Sequence, residues 1–220
     1  KKFTGTGVAL VTPFKADGAI DYPALERVIE HVILGSVDYL VVQGTTGESA
    51  TLSEEEKMEV LAFTKKINRS RVPIVYGLGG NTAALLAAMD SIDFSEVEAV
   101  LSVSPYYNKP SQAGIIAHYE TLADKCPVPI ILYNVPGRTM SNLHASTTLK
   151  LAQHKNIIGI KEASGNLEQC MRIVNGKPDD FLLISGDDMN TTPMRSIGAE
   201  GVISVMANAY PEIMGAIIHG

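Results

Sequence analysis

The sequence contains no tryptophan, and its two cysteines, Cys126 and Cys170, are too few for a disulfide framework and lack metal-ligand spacing. The five histidines (31, 118, 144, 154 and 219) are scattered, so no zinc signature forms and no metal is expected. Positive charge is also scarce. Eighteen Lys and Arg against 24 Asp and Glu give a formal net charge of −6, which leaves no basic footprint for nucleic acid or an anionic membrane. No apolar run reaches the roughly 20 residues that a membrane span needs, and the N-terminal KKFTGTGVALVTPF lacks a signal-peptide cleavage pattern. These absences point to a soluble cytoplasmic protein. Linker-like or low-complexity segments are missing too, so residues 1–220 read as one domain.

What is present is a rhythm. Eight short apolar, β-branched runs begin at Gly7, Tyr39, Pro73, Ala99, Pro129, Ile157, Phe181 and Gly201. Their near-continuous hydrophobicity suits parallel strands buried on both faces. Helical stretches lie between them. Leu25, Val28, Ile29, Val32 and Ile33 share one face of a segment from Asp21 to Leu34. Ser53 and Glu56 form a capping box that opens a helix to about Ile67. Further helices are predicted over 81–94, 111–125, 143–154 and 167–174, with a shorter one after Asp188. Eightfold strand–helix alternation predicts an α/β fold, a (β/α)₈ TIM barrel. A doubly wound sheet would call for a phosphate fingerprint, and GLGGNT from Gly77 lacks the third glycine of one. The chain stops at Gly220, which predicts a barrel truncated within its eighth helix.

Barrel enzymes build their sites at the C-terminal ends of strands. Polar residues at four such ends stand out: Thr45 and Thr46, then Tyr106 and Tyr107, then Tyr133 and Arg138, and finally Lys161. Lys161 continues a strand that should be buried on both faces. Desolvation there would lower its pKa and free the amine as a nucleophile. Alternatively it pairs with Glu162 or reaches solvent. Tyr133 could relay protons, since a phenol both donates and accepts, or be an ordinary tyrosine with a wet tip. Arg138 offers a planar fork for a carboxylate, or is a solvated loop residue. Thr45 and Thr46 sit between Gly44 and Gly47, which either admit a ligand to the backbone or simply make a turn. The segment GAEGVIS from Gly198 reads either as a phosphate loop or as small residues that pack closely against a bound carboxylate.

Taken together, GTTGES, SPYYNKPS, YNVPGRT, IIGIKEASG, ISGDD and GVISV occur in that order, each at a strand end. In this set the chain resembles the dihydrodipicolinate synthase family of class I, pyruvate-dependent aldolases and lyases, from Phe3 to about Ala209. The resemblance implies that Lys161 forms the Schiff base, that Tyr133 donates the proton, and that Thr45 and Tyr107 relay it. Tyr107 would reach across a subunit interface, which implies a homodimer or homotetramer. Thr46 and Ile203 would contact pyruvate, Gly186 would line the pocket, and Arg138 would hold the second substrate's carboxylate. Ser49, Ala50, Asn81 and Tyr106 match the ligands of the family's regulatory lysine site. Glu54 and Lys57 replace its histidines there, and Leu85 replaces its glutamate.

The implied reaction condenses pyruvate with L-aspartate 4-semialdehyde to give 4-hydroxy-tetrahydrodipicolinate, on the route to diaminopimelate and lysine, with no cofactor. Two alternatives share the barrel. One is a sister lyase acting on N-acetylneuraminate or a 2-keto-3-deoxy sugar; the other is a catalytically inactive barrel that binds a keto acid. Family members also carry a helical C-terminal region that the resemblance does not find in this sequence.

Overall fold

The computed structural model describes residues 2–220; Lys1, the first residue of the expected domain, lies outside them. Eight strands run β1 (Gly5–Ala9), β2 (Tyr39–Val42), β3 (Ile74–Leu78), β4 (Val97–Val103), β5 (Ile130–Asn134), β6 (Ile157–Glu162), β7 (Leu182–Ser185) and β8 (Gly201–Ser204). Each pairs in parallel with the next, and β8 closes onto β1 through Gly5–Gly201 and Val8–Ser204. The expected (β/α)₈ barrel is therefore what forms.

Between the strands run α1 (Tyr22–Leu34), α2 (Glu54–Asn68), α3 (Thr82–Met89), α4 (Gln112–Lys125), α5 (Pro136–Thr139), α6 (Ala145–Leu151), α7 (Leu167–Gly176), α8 (Thr191–Ser196) and α9 (Pro211–His219). Their starts follow from capping chemistry. The Asp21 carboxylate accepts from Ala24 N, both halves of the Ser53–Glu56 capping box are made, and the Asn166 side chain accepts from Gln169 N.

Three elements differ from the sequence expectation. The helix expected over 81–94 ends at Met89, because Asp93 is committed elsewhere. Its carboxylate accepts from Lys65 Nζ at 2.9 Å and from Ser95 N at 2.9 Å, which holds the segment in a turn. The segment 143–154 is helical only from Ala145 to Leu151, since Leu143 N donates to Asn134 Oδ1 rather than joining the helix. The first apolar run leaves the barrel after Ala9, and Phe14 pairs instead with Ile20 in an isolated antiparallel bridge.

Side chains alternate along each strand between the lumen and the helical layer. Ala9, Val41, Val75, Leu101, Ile131, Leu182 and Ile184 fill the lumen. The outward set divides into two clusters. Val8, Leu40 and Ile74 meet Leu25, Ile29 and Val60, while Leu132, Ile160 and Leu183 meet Ile115, Leu122 and Ile173. Truncating one of these fully buried side chains to alanine costs about 2–5 kcal/mol. The lumen is thus a packed core, and only its upper layer, at the strands' C-terminal ends, carries reactive groups.

Candidate active site

Tyr133 and Lys161 are register partners on β5 and β6, both directed into the lumen. Tyr133 is 6% exposed and Lys161 5%, and Lys161 Nζ stands 4.4 Å from the centre of the Tyr133 ring. Among the described residues, no carboxylate lies within ion-pairing distance of the Lys161 amine. Burial therefore dominates and lowers its pKa from 10.5 to about 8; the Asp188 charge opposes that fall and the Arg138 charge adds to it. Glu162, the partner that sequence offered as an alternative, faces the opposite way. Its carboxylate accepts from Asn134 Nδ2, Ser164 N and Gln169 Nε2 in the helical layer.

The Tyr133 phenol is pushed up by burial, which a side-chain hydrogen bond with Thr45 and the Arg138 charge partly offset. The phenol therefore stays protonated, with the Thr45 side chain near it. Thr45, Thr46 and Gly47 form a single 3-10 turn after β2, with Thr45 exposed and Thr46 half-buried. Gly47 is favoured by packing, because a Cβ there would lie 3.0 Å from the Leu10 carbonyl oxygen. Gly44 has no such constraint.

Gly186 follows β7 and closes the far side of the amine. A Cβ on it would stand 2.7 Å from that of Ala163 and 3.1 Å from Lys161 Cε. Ile203 on β8 is 1% exposed and shares the lumen cluster with Tyr133. Arg138 lies in α5, exposed at the rim of a cavity of about 1120 Å³ that Thr45 and Tyr133 also line. The structure thus gathers Lys161, Tyr133, Thr45, Arg138, Gly186 and Ile203 around one end of the barrel. Tyr107 is not among them. It is 87% exposed, with a φ of +71°.

The cavity continues outward between α2 and α3, past Ser49, Ala50 and Tyr106, to Lys57 and Leu85. The Asn81 side chain is occupied as the cap of α3, accepting from Ala84 N at 3.0 Å. The GAEG segment lies at the opposite end of the barrel, before β8, and Gly201 packs directly on Gly5, where a Cβ would come within 2.5 Å of its carbonyl oxygen. The phosphate-loop reading of that segment is therefore set aside, and Gly201 packs on the neighbouring strand rather than on a ligand. No helix among the described residues is long and apolar enough to cross a membrane.

Two residues near the amine, Asp188 and Asn134, were not singled out from sequence. Asp188 sits beyond Gly186, and its Oδ2 accepts from Val205 N and Met206 N, joining the loops after β7 and β8. Its Oδ1 is buried without a partner. Asn134 and Glu162 lie behind Tyr133 and Lys161. The IKEAS run marked Glu162, whose outward direction follows from strand alternation once Lys161 faces the lumen, whereas the GDD run left open which acid turns toward the site.

The family model described as the dihydrodipicolinate synthetase family matches residues 2–220. The chain belongs to this family. It is 56% identical over 212 residues to the 4-hydroxy-tetrahydrodipicolinate synthase of Flavobacterium psychrophilum, which covers 96% of this chain and 72% of the relative. It is 54% identical over 210 residues to the synthase of Cytophaga hutchinsonii, covering 95% and 71%. Among solved structures it superposes on the 4-hydroxy-tetrahydrodipicolinate synthase of Methylacidiphilum fumariolicum SolV. That match has a TM-score of 0.95 at 41% identity, over 99% of this chain and 73% of the other.

Proposed function

We propose that the protein is a Schiff-base lyase that condenses pyruvate with L-aspartate 4-semialdehyde to 4-hydroxy-tetrahydrodipicolinate, a step toward diaminopimelate and lysine. The observation that carries this reading is the unpaired Lys161 amine, buried against the Tyr133 ring at the reactive end of the barrel.

Neutral Lys161 attacks the ketone of pyruvate, and water leaves to give the imine. Loss of a methyl proton yields the enamine, whose carbon attacks the aldehyde of the second substrate. The second substrate's amine then attacks the imine carbon, the ring closes, and the lysine departs. Tyr133 handles protons in these steps, since its phenol stays protonated and hydrogen-bonds with Thr45. Thr46, Ile203 and Gly186 surround the pyruvyl group, and Arg138 at the rim takes the carboxylate of the semialdehyde. Tyr107 completes the relay from a neighbouring subunit, so the active form is a homodimer or larger, working in the cytoplasm. The imine is its own electron sink and needs no cofactor. Arg138 and the paired threonines fit a small carboxylated aldehyde better than a polyhydroxylated sugar, which favours this reaction over the sister lyases.

Borohydride reduction in the presence of pyruvate, followed by mass spectrometry, tests the reading. A pyruvyl adduct on Lys161 is expected in the wild type, and none in Lys161→Ala or Lys161→Arg, because a guanidinium is not deprotonated to attack a ketone. An adduct on another lysine, or none in the wild type, overturns it.

A further inference from the structure

Behind the reactive pair lies a carboxylate that the reaction does not use. Glu162 is 1% exposed and directed away from the lumen; its register partners are the buried Asn134 and Ser185, and the layer beneath is filled by the apolar Ile160, Leu132 and Leu183. Burying a carboxylate in such a layer is costly, and an aliphatic side chain would pack there without that cost. No lysine, arginine or histidine among the described residues pairs with it. It is held by N–H donors alone: Asn134 Nδ2 at 3.1 and 3.0 Å, Ser164 N at 2.8 Å and Gln169 Nε2 at 2.8 Å.

Those donors belong to the segments whose relative placement the chemistry needs. Asn134 is the register partner of Glu162, one residue beyond the Tyr133–Lys161 pair. Its Nδ2 also donates to Asn142 Oδ1 at 2.8 Å and its Oδ1 accepts from Leu143 N at 3.0 Å, which ties down the loop that follows Arg138. Asn142 Nδ2 in turn donates to Gln169 Oε1 at 2.9 Å, closing the ring of contacts through α7. One buried carboxylate thus sits where the ends of β5 and β6, the Arg138 loop and the start of α7 meet.

We propose that Glu162 is a positioning residue: its carboxylate fixes the Tyr133 phenol, the Lys161 amine and the Arg138 loop in the mutual geometry that imine formation requires. This rests on the proposed function, and its failure is separable from failure of that reading. The wild-type adduct tests the reaction, and the variants below test Glu162.

In Glu162→Gln one face of the group becomes an N–H donor set against donors. The rate of borohydride-trapped adduct formation at saturating pyruvate should fall at least tenfold, with the KM for pyruvate changed less than threefold. The exchange Glu162→Gln with Gln169→Glu returns an acceptor to the side that Gln169 faces, and should recover most of that rate. Gln169→Met, which keeps the carboxylate but removes one donor, should give a smaller slowing at an unchanged far-UV circular dichroism spectrum. It serves where Glu162→Gln does not fold. A purely structural carboxylate would move Tm and leave the trapping rate of the folded protein alone. A wild-type trapping rate in folded Glu162→Gln or Gln169→Met overturns the proposal, as does an exchange variant that regains Tm without regaining rate.

Discussion

Lys161 Nζ lies 4.4 Å above the Tyr133 ring, and the two residues are register partners on adjacent strands. The ring supplies a negative face to the ammonium form and, with the lumen side chains, excludes the water that would hydrate it. Of these opposing effects desolvation wins, and the pKa falls to about 8. About one amine in ten is then neutral at pH 7, against roughly one in three thousand at the ordinary value.

The pH dependence of adduct formation follows. The observed rate at saturating pyruvate should rise with pH and level off above about 8. The Asp188 charge raises the Lys161 pKa and the Arg138 charge lowers it. Asp188→Asn should therefore move the midpoint down, and Arg138→Met should move it up. Stopped-flow trapping across pH 6–10 measures both (a range of about four decades in proton activity). Shifts in the same direction would remove these charges from the account.

Activity here opposes stability. The folded pKa of Lys161 lies below its unfolded value, so the unfolded chain binds the proton more tightly. Folding is penalised fully below about 8, and the penalty fades as pH rises toward 10.5. The displacement corresponds to about 3 kcal/mol at neutral pH. Lys161→Met, similar in volume and uncharged, should be inactive yet more stable at pH 7, with the gain shrinking on raising the pH toward 10. Urea unfolding at pH 7 and 10 checks this, and an equal or lower stability at pH 7 would contradict it.

Much of this arrangement was legible in the sequence because strand ends are local features. Tyr133 and Lys161 each terminate a continuous apolar run, and barrel topology then dictates that such ends converge. The capping box at Ser53 was equally local. What escaped was everything set by direction rather than position. Glu162 follows Lys161 by one residue, so it could be paired with it on paper, yet the period-two alternation of a strand sends it to the other face. The helix break after Met89 was hidden for a similar reason, since Asp93 is claimed by Lys65 from another helix.

Arg138→Ala should raise the KM for the semialdehyde far more than that for pyruvate. The guanidinium sits at the exposed rim rather than in the lumen, where an incoming second substrate meets it first. Loss of a charge-assisted pair is worth about 1.5–3 kcal/mol, or roughly 10- to 150-fold. Initial-rate kinetics with each substrate varied in turn distinguish the two effects. Equal loss toward both would mark the residue as structural.

Tyr107 should be needed only in the assembled protein. It is 87% exposed and holds a left-handed φ of +71°, a strained choice for a tyrosine. Beside it Tyr106 is 49% exposed, so the pair offers aromatic area suited to burial at an interface. Sedimentation of an active preparation should show a dimer or larger species, and Tyr107→Phe should lower kcat without dissociating it. Full activity in a monomer would end the cross-subunit role.

Free lysine should inhibit weakly. Of the positions that the resemblance matches to a regulatory lysine site, Ser49, Ala50 and Tyr106 line the outer part of the cavity. An incoming ammonium would there meet Lys57, which lines the cavity and already binds Glu54 at 2.7 Å. Glu54 could offer that ammonium a carboxylate only by giving up its own partner. Leu85 is 3% exposed, packed in the core cluster with Met89 and Ile115, and accepts no hydrogen bond where sensitive members present a carboxylate. The Asn81 Oδ1 accepts from Ala84 N as a helix cap. Losing one charged hydrogen-bond partner costs about 1.5–3 kcal/mol, which moves an inhibition constant by one or two decades. Lysine titrated into the assay at saturating pyruvate should leave most activity intact at millimolar concentration. The double change Lys57→His with Leu85→Glu should lower the inhibition constant at least tenfold, and strong inhibition of the wild type at sub-millimolar lysine would refute the argument.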